Sequence, residues 1–212
     1  MLIKNFFSTT TNKVELIEFA NGETLDISQG LTLTQTNGSE TINGTGFGDV
    51  IYGMDGNDTI SASGNNTFIG GVGNDAISGG TGNDTYIYNL GDGFDTISDT
   101  GGNDKIVFGE GISQNNLSFE KIGNNLKISI NGDEIKGLQI NNQFSSSSYK
   151  VETIEFHDGS TLDISNADQL IQAMNSFSIS NSASTDTLSN PTQDVSDMYS
   201  LAASQDLTRK AI

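Results

Sequence analysis

The chain has 212 residues, 33% of them hydrophobic, with 25 glycines, 1 proline and a formal charge of -18 from 27 acidic against 9 basic side chains. Such a chain repels nucleic acid and anionic membrane and attracts cations; having no cysteine, it has no disulfide, thiolate metal site or cysteine nucleophile. No apolar run approaches the roughly 18 residues of a membrane span, and the composition leans toward disorder, a leaning opposed by periodic glycine and aspartate.

The opening MLIKNFFSTT lacks the apolar stretch of an N-terminal secretory signal, so an export address has to lie elsewhere. Residues 3–28 and 140–165 align without a gap at an offset of 137, with 16 of 26 positions identical. Both copies carry V-E-x-I-E-F, a turn at Asn21-Gly22 or Asp158-Gly159, and T-L-D-I, which predicts a β-hairpin. The duplication is read as a stretch of a longer tandem array that opens inside the end of one module and contains the next.

A shorter beat follows. GGVGNDAIS and GGTGNDTYI adjoin at residues 70–87 and agree at positions 1, 2, 4, 5 and 6. Counting the acidic residue as the sixth of nine, Glu40, Asp49, Asp58, Thr67, Asp75, Asp84, Asp95 and Asp104 succeed one another at steps of 9, 9, 9, 8, 9, 11 and 9. Two places later stand Ile42, Ile51, Ile60, Ile69, Ile77, Tyr86, Ile97 and Ile106. The unit is a six-residue glycine turn and a three-residue strand with one inward side chain. Such a strand cannot repay the entropy of ordering its unit alone, so the units must stack. If they alternate between two facing sheets, two units form one coil of 18 residues and the isoleucines form a continuous core. The turns then pile into two columns and the aspartates with them, a repulsion of several kcal/mol at an effective dielectric of about 20. A divalent cation between them reverses its sign.

Beyond the repeats, residues 116–140 alternate apolar and polar around turns at Gly123-Asn124-Asn125 and Asn131-Gly132, predicting two or three antiparallel strands. Past the second hairpin, Ser165 with Asp168 three residues on predicts a helix start, and Ala167, Leu170, Ile171, Met174 and Phe177 share one face that would close the core. Residues 178–194 read as a polar linker, and 195–204 as a short helix.

Calcium accepts six to eight oxygens in forgiving geometry, carbonyls as readily as carboxylates, and glycine turns can aim successive carbonyls at one point. Magnesium prefers water and strict octahedra; zinc wants His or Cys. With the residues in view, the nonapeptide G-G-x-G-x-D-x-U-x of residues 35–108 resembles the repeats-in-toxin (RTX) family of bacterial secreted proteins. The resemblance implies an all-β chain: a parallel β-roll flanked by antiparallel strands, with a short C-terminal capping helix. It also implies roughly three to five calcium ions, each between turns one coil apart.

Carried onto this sequence, the family's ligand pattern pairs Met54, Gly56 and Asp58 with Gly70, Val72 and Asp75. It pairs Gly71, Gly73 and Asp75 with Leu90, Asp92 and Asp95, and Gly80, Gly82 and Asp84 with Asp99, Gly101 and Asp104. A less regular site joins Thr36, Gly38 and Glu40 to Gly53, Asp55 and Asp58. Gly79, Thr81 and Asp84 on one side and Asp49 on the other face the turn in ASGNNTFI, residues 62–69, which is one residue short and has Thr67 where the family has Asp.

The flanking copies, with residues 105–177, resemble the haemolysin-type calcium-binding-related module that follows RTX repeats. Membership implies a secreted, extracellular or cell-surface protein of a Gram-negative bacterium. It implies type I secretion machinery and neighbouring modules of the same chain as partners. The organisation expected is 1–34, the tail of a preceding module; 35–108, the roll; 109–178, the β-rich flank with its helix; and 179–212, a linker and secretion-signal segment.

Plainer readings compete. A metal-free solenoid could hold its turns with Asx hydrogen bonds. Asp55-Gly56-Asn57-Asp58 lacks the preceding helix, sixth-position glycine and twelfth-position glutamate of an EF-hand. His157, beside Asp158 and near Ser160, tempts a hydrolase reading, but Ala20 stands at its place in the first copy. The expected role is therefore non-catalytic: a calcium-folded module of a large secreted protein of toxin or adhesin type. The alternatives are the accessory region of a secreted protease, lipase or epimerase, an adhesin segment with its own ligand, and a structural spacer.

Overall fold

The computed structural model describes residues 16–18, 24–26, 28 and 30–174. The linker, second helix and secretion segment expected beyond residue 178, and Phe177, lie outside the described residues. Ahead of the repeats lie β1 Leu16–Glu18 and β2 Thr24–Asp26, and the roll is built from β3 Thr32–Thr34, β4 Thr41–Asn43, β5 Val50–Tyr52, β6 Thr59–Ser61, β7 Thr67–Ile69, β8 Ala76–Thr81, β9 Thr85–Tyr88, β10 Phe94–Gly101 and β11 Lys105–Phe108. Odd strands β3, β5, β7, β9 and β11 pair in parallel in one sheet, and even strands β4, β6, β8 and β10 in the other. This is the parallel β-roll predicted above. Each coil adds one strand to each sheet, with one buried residue in each of β4, β5 and β6 and two in each of β9 and β11.

The core is thus two facing columns, Ile42, Ile60, Ile77 and Ile97 against Ile51, Phe68, Tyr86 and Ile106, all buried. Phe68 is a correction. The count above put Ile69 in the core and Thr67 at the acidic position, whereas Phe68 is fully buried and Asn66 takes the acidic place. The turn between β6 and β7 spans five residues, 62–66, and pairing Val50 with Thr67 and Ile51 with Phe68 sets the register. The deletion falls inside the turn, so the strand stays in phase and the sixth-position duty passes to asparagine.

The C-terminal flank is a continuation of both sheets. Three antiparallel strands, β12 Leu117–Ile122, β13 Asn125–Ile130 and β14 Asp133–Ile140, extend the even sheet, because β14 pairs in parallel with β10. Asn131 and Gly132 both have positive φ, 55° and 71°, as the tight primed hairpin turn between β13 and β14 requires. The second hairpin, β15 Thr153–Glu155 with β16 Thr161–Asp163, extends the odd sheet through a parallel β11–β15 pair. Its first-copy counterpart, β1 with β2, is the same antiparallel hairpin in a sheet of its own.

Residues 167–174 are helical, placing buried Ala167 and Leu170 and half-buried Ile171 and Met174 against the core. The helix starts later than the Ser165 cap predicted. The Asn166 carbonyl accepts the first helical bond, from the Leu170 N–H, while the Ser165 N–H donates to Asp163 Oδ1 at 2.8 Å.

Candidate metal centre

The turns form two columns on opposite edges of the roll. One holds residues 53–58, 70–75 and 90–95, with 35–40 at its start; the other holds 44–49, 62–66, 79–84 and 99–104. Parallel bridges Asp55–Val72 and Gly73–Gly93 stack the first column directly. The stacking leaves no room for side chains: a Cβ on Gly71 would lie 1.9 Å from the Met54 carbonyl oxygen, and one on Gly73 1.6 Å from that of Gly56. Both glycines also have positive φ, 94° and 155°.

Each acidic residue is fixed by the coil beside it. Asp58 Oδ1 accepts from the Glu40 N–H, Asp75 Oδ1 from Asp58, and Asp95 Oδ1 from Asp75, at 2.8, 2.8 and 3.0 Å. In the second column Asn66 Oδ1 accepts from Asp49, Asp84 Oδ1 from Asn66, and Asp104 Oδ1 from Asp84, at 2.9, 2.7 and 2.7 Å. Glu152 of the flank ends the ladder, its Oε2 accepting from the Asp104 N–H at 2.8 Å. The fifth-position asparagines build a parallel rung outside: Asn57, Asn74, Asn65 and Asn83 each accept a backbone N–H from the next coil. The side-chain-to-backbone bonds of the metal-free alternative therefore exist, made by asparagines and by one oxygen of each aspartate in the ladder.

In Asp58, Asp75, Asp84 and Asp104 these bonds use one carboxylate oxygen and leave the other orphaned. Glu40 Oε2, Asp58 Oδ2, Asp75 Oδ2, Asp84 Oδ2 and Asp104 Oδ2 are buried without a hydrogen-bond partner. Leaving an acceptor so costs on the order of 1–3 kcal/mol, more when charged. Burial, opposed by the backbone hydrogen bonds and reinforced by neighbouring carboxylates, pushes Asp75 up to about 6, Asp84 and Asp104 to about 7 and Asp95 to about 8. Burial also raises Asp58, Asp92 and Glu152.

The stacked carbonyls of Met54 and Val72 accept from Val72 and Gly56, those of Thr81, Asp92 and Gly101 from Gly64, Gly73 and Gly82. Each keeps one lone pair. An all-oxygen donor set with orphaned, partly buried carboxylates fits a hard cation of calcium's kind. The lone histidine, His157, is exposed in the β15–β16 turn.

The predicted residues fall into distinct groups. Turns Gly53–Asp58 and Gly70–Asp75 meet, as do Gly70–Asp75 and Leu90–Asp95, and Gly79–Asp84 and Asp99–Asp104. Asp49 differs: its Oδ1 accepts from Leu31 N–H at 2.7 Å, its Oδ2 from Thr45 N–H at 2.5 Å, and the Thr45 hydroxyl lies 2.8 and 2.9 Å from the two oxygens. Both of its oxygens accept hydrogen bonds, and neither is orphaned.

Sequence reasoning missed Thr45, Asn66, Glu152 and Tyr86. Glu152 was legible, since it stands two residues before Ile154 just as Asp104 stands two before Ile106. Asn66 shows itself once Phe68 is taken as the core residue. Thr45 and the Tyr86 hydroxyl carry no local signal.

Two family matches agree with this architecture. Residues 34–63, 62–94 and 87–114 match the RTX calcium-binding nonapeptide repeat (4 copies), and residues 1–29 and 125–166 match the haemolysin-type calcium binding protein related domain. No curated protein matches the chain.

Proposed function

The chain belongs to the RTX haemolysin-type calcium-binding proteins, and from that premise we propose that it is a non-catalytic, calcium-folded module of a secreted protein. The observation that carries this reading is the set of buried carboxylate oxygens left without partners in stacked turns. Bound calcium supplies the positive charge that these oxygens lack. The residues that would hold it are Asp58, Asp75 and Asp95 with the carbonyls around them in one column, and Asp84 with Asp104 in the other.

At low calcium and neutral pH, ionised carboxylates packed a few ångströms apart oppose the folded stack. The chain then stays extended, the form suited to passage through a type I export channel. In calcium-rich surroundings the folded state gains stability by mass action, because the unfolded chain has no assembled site. Affinities of extracellular calcium modules, around 0.1–1 mM, match such a switch. The 137-residue offset between the two hairpin copies favours a role as one unit of an array, in which the roll sets the spacing between neighbouring modules.

Circular dichroism of the full chain through a calcium titration, with magnesium as control, tests the reading. The β signal is expected to rise cooperatively in millimolar calcium and to respond weakly to magnesium. Full β-structure in metal-stripped buffer, unchanged by calcium, would overturn it.

A further inference from the structure

One stacked pair departs from the rest. In the first column, the first position of each turn is Gly53, Gly70 or Leu90. In the second, the stretch 99–104 begins with Asp99, inside β10, an inward-facing residue that is 1% exposed. The first-position residues Gly44, Ala62 and Gly79 of the other turns in this column offer only a carbonyl oxygen. Here one carboxylate oxygen each from Asp84, Asp99 and Asp104 lie within 4.8 Å of one another, all three residues buried. Two further facts point to a ligand. Asp84 Oδ2 and Asp104 Oδ2 have no hydrogen-bond partner, and both residues are 1% exposed. The concavity is also kept open by Gly79, whose Cβ would lie 2.5 Å from Asp84 Oδ2, 2.6 Å from Asp99 Oδ2 and 2.0 Å from the Tyr86 hydroxyl.

Tyr86 holds Asp99 from the core side. It occupies the inward position that most repeats give to isoleucine, and its ring stacks on Phe68 with centroids 5.3 Å apart and planes at 11°. Its hydroxyl reaches the edge of the core and donates to Asp99 Oδ2 at 2.5 Å, while Asp99 Oδ1 accepts from the Gly101 N–H at 2.8 Å. Both Asp99 oxygens are thus fixed in direction, each by a single donor. An ionised carboxylate oxygen retains further lone pairs for a cation.

We propose that Asp99 makes the junction of turns 79–84 and 99–104 a three-carboxylate cation site, with the Asp99 side chain as a direct ligand and Tyr86 as its positioning residue. This site fills before the others in the chain, because calcium affinity rises with the number of charged ligands and the rigidity of the site. The inference rests on the calcium reading above and adds to it an order of filling. It also extends the site to trivalent lanthanides, whose higher charge is best matched by three carboxylates.

The test uses the full chain and two probes, calcium in calorimetry and terbium alone in luminescence excited through tyrosine, the chain having no tryptophan. Asp99→Asn keeps the side-chain volume and an acceptor for Tyr86. It should weaken the tightest class of calcium sites by about tenfold or more while leaving the weaker classes unchanged. Tyr86→Phe should weaken that class by a smaller factor, leave the weaker classes alone, and abolish most of the tyrosine-excited emission at sub-stoichiometric terbium. If Asp99→Asn fails to fold in saturating calcium, the Tyr86→Phe pattern decides. Wild-type isotherms in Asp99→Asn, or undiminished early terbium emission in Tyr86→Phe, would overturn the site while calcium folding stands. A wild-type chain that binds no calcium would overturn both.

Discussion

Two stacks of the same roll hold their turns by different means. Where turns 53–58, 70–75 and 90–95 meet, each aspartate spends one oxygen on the neighbouring coil, and Asp58 and Asp75 leave the other buried and unpaired. Where turns 44–49 and 62–66 meet, Asn66 stands in for an aspartate and the Thr45 hydroxyl and N–H fill both oxygens of Asp49. Parallel strand pairs flank both junctions. The nonapeptide turn itself therefore requires only that its polar atoms be answered, by a cation or by a hydroxyl. Asparagine removes one charge and threonine supplies one donor, and together they make a junction that is complete without metal.

The largest expected effect is that of pH, through the carboxylates that the Asn66–Thr45 junction avoids burying unanswered. In the folded, metal-free chain Asp75, Asp84, Asp95 and Asp104 sit at about 6, 7, 8 and 7, above their ordinary 3.8, mainly through burial. A raised carboxyl pKa means that the folded state binds more protons than the unfolded one. Its stabilising contribution is full below about pH 4 and is lost as pH rises through about 6 to 8. Thermal melting of metal-stripped protein should accordingly show Tm falling across that window, with calcium cancelling the fall at its upper end. A flat profile, or a Tm that rises with pH, would contradict the picture of unanswered carboxylates.

Next comes Asp75→Ala, at the junction shared by two stacked pairs. It removes a carboxylate from both and strands the Asp58 N–H, so the calcium midpoint for folding should move up by about tenfold or more. Asp49→Ala, which destabilises the fold but removes no unanswered carboxylate, should move that midpoint by a clearly smaller factor. Equal midpoint shifts in the two variants would erase the distinction between the stacks.

The smallest effect is Thr45→Val, which removes the hydroxyl facing both Asp49 oxygens. Chemical denaturation should register a loss of about 1–3 kcal/mol, the same in calcium just sufficient to fold the chain and in saturating calcium. A loss that calcium abolishes would show that this stack, too, takes an ion.

Much of the architecture could be read directly. Ile42, Ile51, Ile60, Ile77, Ile97 and Ile106 recur two places after an acidic residue and all are buried. The two hairpins were legible from V-E-x-I-E-F and the Asn-Gly or Asp-Gly turn. The short unit was misphased by one residue, because Phe68 and Ile69 are equally apolar and only cross-strand pairing with Ile51 separates them. Its sixth position then went to Thr67 when Asn66 was the residue in stack. The helix start was misplaced for a similar reason: Ser165 and Asn166 are both good caps, and chain entry from β16 commits the Ser165 N–H to Asp163.

What the sequence by itself determined is the periodic part: turn, strand, one inward side chain, one carboxylate per unit and the need for positive charge. These follow from chemistry repeated locally, and any stacking of the units preserves them. Tertiary structure alone decided which oxygens remain unanswered. Tyr86 meets Asp99 across 13 residues and Glu152 meets Asp104 across 48, separations set by an 11-residue step in the repeat and by the β12–β14 insertion. The repeat fixes how often a carboxylate occurs, but the lengths of the intervening turns and insertions fix the register between coils, and register decides whether its partner is a backbone N–H, a hydroxyl or a cation.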